Sequence, residues 1–363
     1  MHTIFVNGRF LFRPQTGVDR YALGVLSAID QLLDQGEADS LNFVLIVPKS
    51  TSKPFWLPNN MQVLRAGFFH GQLWEQFSLP WLTRGGLLLN LCNTAPLLKR
   101  NQIATIHDAT VARYGRSFRI SFRIWYKILL PLVSFMARAV VTVSHFSESE
   151  IHRCYRTPRR KISVIYNGAD HVTRLAPDRS VISRLGLRGR CYVLGVATHA
   201  AHKNVQALYA LPSHLRDEPV SVVLVGGGNN LVFAKNSNSY SAESRLIRAG
   251  YLRDEELMAL YGGATCFVFP SFYEGFGIPP IEAMTLGCPV IASNAAAMPE
   301  VLGDAAIYFD PCNVDELAVS VKRMLHDEQL RDTLIEKGRE RAKRYRWEHS
   351  GRAFLALCAR FAK

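Results

Sequence analysis

"CFVFPSFYEGFGIPPIEAMTLGCPVIAS", residues 266 to 293, reads as a strand, a loop, a helix and a second strand. The run "CFVF" is short, apolar and partly aromatic, which suits a strand buried on both faces. It ends at Pro270 and Ser271. Gly275 and Gly277 then permit backbone angles that other residues avoid and let a ligand approach the chain closely. Pro279 or Pro280 fits the first helical turn, where a missing N–H costs nothing, and "IEAMTL" carries the helix to a stop at Gly287. First-turn amides of such a helix offer a site for an anion such as a diphosphate. Two carboxylates flank them. Glu274 lies in the loop, and Glu282 lies about a turn into the helix, placed to accept from adjacent hydroxyls of a sugar or ribose. Each also has a plain reading, Glu274 as a charge favouring the helix dipole and Glu282 as a solvated helix residue.

The same alternation of apolar runs and helix-like segments extends outward through the chain. Runs at 3 to 8, 42 to 48, 86 to 91, 102 to 108, 139 to 144 and 161 to 168 form one series. Runs at 191 to 197, 220 to 228, 264 to 271, 288 to 293 and 305 to 310 form a second. Continuous apolar strands alternating with helices predict parallel sheets covered on both faces, an α/β doubly wound architecture. With 363 residues, two cores of about 180 residues each are expected. The expected division is 1–170, 171–345 and a terminal helix at 346–363 that crosses back toward the first domain. Two Rossmann-like domains facing a central cleft would bind ligands at the carboxyl ends of their strands.

Composition narrows the function. A hydrophobic fraction of 48% with 20% charged residues excludes a disordered chain. No run reaches about 18 uninterrupted apolar residues, and no basic segment followed by an apolar run opens the sequence, so a cytoplasmic protein without a membrane span is expected. Seven scattered cysteines without a C-x-x-C pair read as buried thiols rather than a disulfide or zinc framework, and the histidines lack metal-ligand spacing. No essential metal or cofactor is expected. "VGGG", ending at residue 228, reads as a strand-end turn, and no G-x-G-x-x-G supports a dehydrogenase. The net charge of +13 fits an anionic partner or a solubilising surface. Within 113 to 139, Arg116, Arg119, Arg123 and Lys127 recur at helical spacing beside Trp125 and other apolar residues. That segment reads either as a basic amphipathic helix for an anionic bilayer, or as a packed helix with snorkelling cations, bent or restarted at Pro131. No nucleic-acid module accompanies the charge, so nucleic acid is not an expected partner.

The ordered set of motifs resembles the family 4 retaining glycosyltransferases of GT-B fold. Its centre is the pair Glu274 and Glu282 within "PSFYEGFGIPPIEAMTLGCPVIAS", continued by "AMPEVLGDAAIYFDP" at 297 to 311. "QTGVDRYALGVL" (15 to 26), "LWEQFSLP" (73 to 80), "TIHD" (105 to 108), "TVSHFSESEI" (142 to 151), "VIYNGAD" (164 to 170), "HKNV" (202 to 205) and "AGYLRDEELMALY" (249 to 261) complete it. The "WEQ" segment is similar to that of bacterial polysaccharide-assembly members. The resemblance implies sugar transfer from a nucleotide sugar, a GDP-sugar such as GDP-mannose above others, to a lipid-linked or oligosaccharide acceptor. It implies a donor site on the carboxy-terminal domain, an acceptor site on the amino-terminal one, and an enzyme peripheral to the inner face of the cytoplasmic membrane.

Carried over motif by motif, Glu274 faces the donor sugar, Glu282 the ribose, and Gly275, Phe276, Gly277 and Ile278 the sugar and diphosphate. Lys203, with Asn204 beside it, neutralises the leaving diphosphate, mostly an electrostatic task. Gly17 and Arg20 belong to a loop closing over it, Tyr251 and Leu252 lie beside the base, and His107 sits near the reacting centre. Where many members pair the lysine with an arginine, this chain has Ala197, Ala201 and His202, and His202 is cationic only when protonated. Taken alone, His107 also reads as a histidine capping the sheet and Lys203 as an exposed lysine. No D-x-D occurs, so the metal–diphosphate device of the other major glycosyltransferase fold is missing. Two other functions stay open at this point. One is a glycoside hydrolase using both glutamates, whose carboxyls would stand roughly 5 to 10 Å apart. The other is a catalytically silent sugar-nucleotide-binding protein.

Overall fold

A computed structural model of the chain describes residues 2–12, 16–49, 54–198, 200–226 and 245–362. The chain forms two compact units. Unit 1 comprises 1–109, 124–168 and 346–363; unit 2 comprises 110–123 and 169–345.

Unit 1 is built on a seven-stranded parallel sheet. Its strands are β1 (His2–Asn7), β2 (Leu41–Val47), β3 (Gln62–Arg65), β4 (Leu87–Asn90), β5 (Gln102–Thr105), β6 (Ala139–Thr142) and β7 (Ile162–Val164). They lie in the order β3-β2-β1-β4-β5-β6-β7. Every residue of β4, β5 and β6 is buried, as uninterrupted apolar runs require in a sheet covered on both faces. Helix Gly17–Asp34 begins with a capping box, Thr16 N–H donating to Asp19 Oδ2 at 2.9 Å. Helix Trp347–Phe361 packs against it, and a Cβ at Gly24 or Gly168 would collide with the Trp347 ring.

Unit 2 holds a six-stranded parallel sheet of β8 (Cys191–Val196), β9 (Val220–Val225), β10 (Leu246–Gly250), β11 (Cys266–Phe269), β12 (Val290–Ser293) and β13 (Ala306–Phe309). The order is β10-β9-β8-β11-β12-β13. In both sheets the winding reverses once, between β1 and β4 and between β8 and β11. Such switch points leave a crevice outside the carboxyl ends of the two strands.

Several sequence expectations need correction. The apolar runs did not mark β3 or β10. The first is exposed along its length and the second is largely half-exposed, and both lie at sheet edges. The basic segment is not one helix from 113. Residues Gly115–Ser117 form a single 3-10 turn and Phe118 is extended, so helix Ile120–Met136 starts after Arg116 and Arg119. Only Arg123 and Lys127 of the four cations lie on it, and the helix runs through Pro131 without ending. No disulfide joins the seven cysteines, but Cys191 and Cys312 are exposed rather than buried. Gly227 and Gly228 of the "VGGG" turn lie outside the described residues, which resume at 245 after Gly226.

Candidate active site in the carboxy-terminal unit

The loops after β8 and β11 flank the switch point of unit 2, and each delivers one charge. Ala201–Lys203 forms a short turn and Asn204 follows in the left-handed region (φ 48°). Asn204 Nδ2 donates to Pro270 O at 3.1 Å and to Pro311 O at 2.8 Å, tying the two loops together. Lys203 Nζ thereby reaches Glu274 Oε1 at 2.6 Å. Both side chains keep some access to solvent, 25% for Lys203 and 11% for Glu274. The Lys203 ammonium also stands 6.0 Å from the centre of the Phe269 ring.

The Glu274 loop turns into helix Ile278–Thr285 at Gly277, whose φ of 83° places it in the left-handed region. A Cβ there would approach Met298 Cε to 2.7 Å, so glycine is required twice over. Pro279 and Pro280 occupy the first turn and carry no N–H, which leaves fewer first-turn donors than the sequence reading supposed. The main chain that can face a ligand is therefore the stretch Gly275 to Ile278. The Phe276 side chain is turned inward, edge-on to Tyr345 at 5.2 Å.

Glu282 sits on the same helix and is buried. His171 Nε2 lies 3.0 Å from its Oε1, and Tyr261 donates to its Oε2 at 3.3 Å. It is therefore a fixed carboxylate, not a solvated helix residue. His171 and Tyr261 are far from Glu282 in sequence and no spacing signalled them. Tyr251, just beyond β10, has 82% of its surface exposed, whereas Leu252 is buried.

His202 does not provide a second cation. It is buried against Tyr114 and Phe118, whose rings lie 6.4 and 5.9 Å away, and burial, aided by the Lys203 charge, pushes its pKa down to about 3. Tyr114 also meets Tyr273 at 5.5 Å. The segment 110–123 thus belongs to unit 2 by aromatic packing that its basic pattern concealed.

The remaining candidates are in unit 1 or in the segment from 110 to 136. His107 is buried after β5, its Nε2 donating to Leu91 O at 3.0 Å and its backbone N–H to Asn93 Oδ1 at 2.8 Å. Burial lowers its pKa, so the ring is neutral with its proton on Nε2. Gly17 opens helix Gly17–Asp34 with nothing within 4 Å of where a Cβ would stand, and Arg20 is half-buried one turn on. Arg116, Arg119, Trp125 and Lys127 are exposed, and Arg123 packs against Gly115. Among the described residues no group of three or more His, Cys, Asp and Glu side chains could hold a metal ion.

Two family profiles match the chain, "Glycosyltransferase Family 4" over residues 49–172 and "Glycosyl transferases group 1" over 185–341. The chain is 34% identical over 221 residues to the O-antigen chain mannosyltransferase B of Escherichia coli, covering 59% of this chain and 58% of that protein. It is 29% identical over 248 residues to the O-antigen chain mannosyltransferase RfbU of Salmonella typhimurium, covering 67% and 65%. The matched regions thus span less than two thirds of either relative. Among solved structures, a sucrose-phosphate synthase from Thermosynechococcus elongatus superposes over 99% of both chains with a TM-score of 0.72 at 19% identity. That likeness concerns the fold: two parallel-sheet α/β units.

Proposed function

We propose that this chain, which matches the Family 4 and group 1 glycosyltransferase profiles, transfers a hexose from a nucleotide sugar to a glycan acceptor in cell-surface polysaccharide synthesis, with retention at the anomeric carbon. The names of the Escherichia coli and Salmonella relatives favour mannose as the sugar, and GDP-mannose is the donor this reading prefers.

The observation that carries it is the Lys203–Glu274 pair at the ends of β8 and β11. Bond cleavage at the donor puts negative charge on the departing diphosphate and positive charge on the sugar ring. An ammonium beside the first and a carboxylate beside the second stabilise both changes in a site partly shielded from water. The main chain from Gly275 to Ile278 supplies further donors to the diphosphate, and the reaction so drawn needs no metal ion. Glu282, held by His171 and Tyr261, keeps lone pairs for ribose hydroxyls. Tyr251 offers an exposed ring to the base. A hydrolase reading is not favoured, because Glu274 is engaged by an ammonium and Glu282 by His171 and Tyr261.

The acceptor is drawn as lipid-linked, met at the cytoplasmic face of the inner membrane. Ile120, Ile124, Ile128, Leu132 and Phe135 form an exposed apolar row on helix Ile120–Met136, with Lys127 and Trp125 exposed beside it. Such a surface suits partial insertion into an anionic bilayer. No helix among the described residues is long and apolar enough to cross a membrane.

Incubation with GDP-mannose, UDP-glucose and a lipid-linked glycan tests the whole. Transfer with nucleotide release, lost in Lys203→Ala, is the expected result. Free sugar released from an oligosaccharide without nucleotide, or nucleotide binding without turnover, overturns it.

A further inference from the structure

The proposed donor site makes no use of the segment "LWEQFSLP", residues 73 to 80. It belongs to a continuous helical run, Gly71–Leu73, Trp74–Ser78 and Leu79–Leu82, whose middle part is a π-helix. Trp74, Glu75, Ser78 and Leu79 turn inward. Trp74 and Leu79 pack on Val44, Ile46 and Leu88 of the unit 1 sheet, and the Trp74 indole donates to Ala66 O at 2.8 Å. Glu75 Oε2 meets Arg9 Nε at 2.5 Å and accepts from Thr94 Oγ1 at 3.0 Å. With the inner side so fixed, Leu73, Phe77 and Trp81, each four residues from the next, face solvent. The Phe69 ring lies 6.0 Å from that of Phe77, and Phe68 is 87% exposed. Gln76 Nε2 donates to Ala95 O at 3.1 Å and its Oε1 accepts from the Leu97 N–H at 3.0 Å. That clasp holds Leu98, 76% exposed, beside the row. Single exposed apolar side chains are ordinary, but a joined group of this kind, mostly aromatic, marks an interaction surface.

What covers it follows from charge. Between Leu41 and Ser147 the sequence has twelve lysines and arginines but two carboxylates. Those two are Glu75, buried against Arg9, and Asp108, half-buried after β5. Two of the cations stand over rings of the patch, Lys49 Nζ 5.8 Å from Phe68 and the Arg84 guanidinium 6.0 Å from Trp81. A second copy meeting this face with its own would set cation against cation, with no exposed carboxylate from the same stretch to answer them. An anionic bilayer answers both features, because aromatic rings favour the headgroup boundary and cations favour its phosphates. The topology agrees. The connections from β3 to β4 and from β5 to β6 step in the same direction across the sheet order. Right-handed crossovers place both on one face of the sheet. The aromatic row therefore shares that face with the row Ile124, Ile128, Leu132 and Phe135 of helix Ile120–Met136.

We propose that Phe68, Phe69, Leu73, Phe77, Trp81 and Leu98 form a second bilayer contact, whose rings enter the headgroup boundary of an anionic phospholipid membrane while Lys49 and Arg84 pair with its phosphates. The assignment rests on the membrane reading of the proposed function and adds a contact outside helix Ile120–Met136.

The test uses the full chain with phosphatidylglycerol and phosphatidylcholine vesicles. Phe77→Glu and Trp81→Glu are each expected to reduce cosedimentation with phosphatidylglycerol by at least about tenfold, with melting temperature and GDP affinity unchanged. Trp81→Phe keeps the apolar surface and reads the contact directly. Phosphatidylglycerol brominated along its acyl chains should quench wild-type tryptophan emission and quench Trp81→Phe less, a result that stands even if a glutamate variant folds poorly. Binding that falls with Ile128→Glu but with neither Phe77→Glu nor Trp81→Glu overturns this contact and leaves the helix row in place. Equal quenching of wild type and Trp81→Phe overturns it too, as does equal binding to phosphatidylcholine. A shift of Phe77→Glu from dimer to monomer, with vesicle binding unchanged, gives the face to a second copy instead. No vesicle binding by the wild type defeats both membrane contacts. None of these results touches nucleotide-sugar turnover, whose absence with every donor would instead defeat the proposed transfer reaction.

Discussion

Lys203 Nζ lies 2.6 Å from Glu274 Oε1, so the ammonium delivered after β8 is already engaged by the carboxylate delivered after β11. A diphosphate entering this site competes with Glu274 for the same cation. Removing the carboxylate frees the lysine, whereas removing the lysine removes the cation itself. Glu274→Ala is therefore expected to bind GDP as tightly as wild type or more tightly, while transfer falls by about 10- to 100-fold, roughly 1.4 to 3 kcal/mol of transition-state stabilisation. Lys203→Ala should lose both. Calorimetry with GDP and initial rates with GDP-mannose separate the two, and equal loss of GDP affinity in both variants would refute the competition.

Glycines 17 and 277 both belong to segments assigned to donor binding, yet their surroundings differ. Gly277→Ala puts a Cβ at φ 83° and 2.7 Å from Met298 Cε, and should cost about 1 to 3 kcal/mol of stability. Gly17→Ala meets nothing within 4 Å and improves helix propensity by up to about 1 kcal/mol. Its stability should be unchanged or slightly raised. Any rise in donor KM would then report a ligand passing close to residue 17. Urea titrations of both variants decide the stability ranking. A Gly277→Ala protein as stable as wild type would contradict the local geometry.

The interior strands were legible because burial on both faces demands an uninterrupted apolar run, as in "LLLN" and "CFVF". The edges β3 and β10 were not, since an edge strand needs no such run. At the site, Glu274 and Lys203 were legible as motif residues. Their 2.6 Å contact depends on Asn204 bridging two loops, which no local pattern encodes. The buried cluster of Arg9, Glu75 and Thr94 in unit 1 escaped for the same reason, because its members come from three separate segments. His202 was legible as a possible cation, but the Phe118 and Tyr114 rings that keep it neutral come from a segment whose sequence advertises its arginines.

That burial has a consequence for acid stability. The folded pKa of His202 is about 3, against 6.5 for an ordinary histidine. Between these values the unfolded chain binds more protons than the folded one, so stability rises with pH. The contribution is fully present above about pH 6.5 and is lost as pH falls through about 3, amounting to a few kcal/mol at most. His107, also lowered by burial, acts in the same direction. His202→Gln should flatten the slope of unfolding free energy across this range without abolishing it. Parallel curves for variant and wild type in denaturant titrations at a series of pH values would show that His202 titrates normally.

The exposed row on helix Ile120–Met136 makes the bilayer reading measurable. Ile124 and Ile128 are 55% and 56% exposed one turn apart, so replacing them leaves the core intact. Inserting one isoleucine into the acyl boundary stabilises the bound state by about 1.5 to 3 kcal/mol, and a glutamate there reverses the gain and opposes anionic lipid. Ile128→Glu should therefore reduce cosedimentation with phosphatidylglycerol vesicles by at least about tenfold. Its melting temperature and its GDP affinity should not change. Lys127→Glu should act mainly at low salt, because an exposed charge near the surface is screened beyond a Debye length. Binding that is insensitive to Ile128→Glu, or equal on phosphatidylcholine vesicles, would mean that this helix does not meet the membrane through its apolar row.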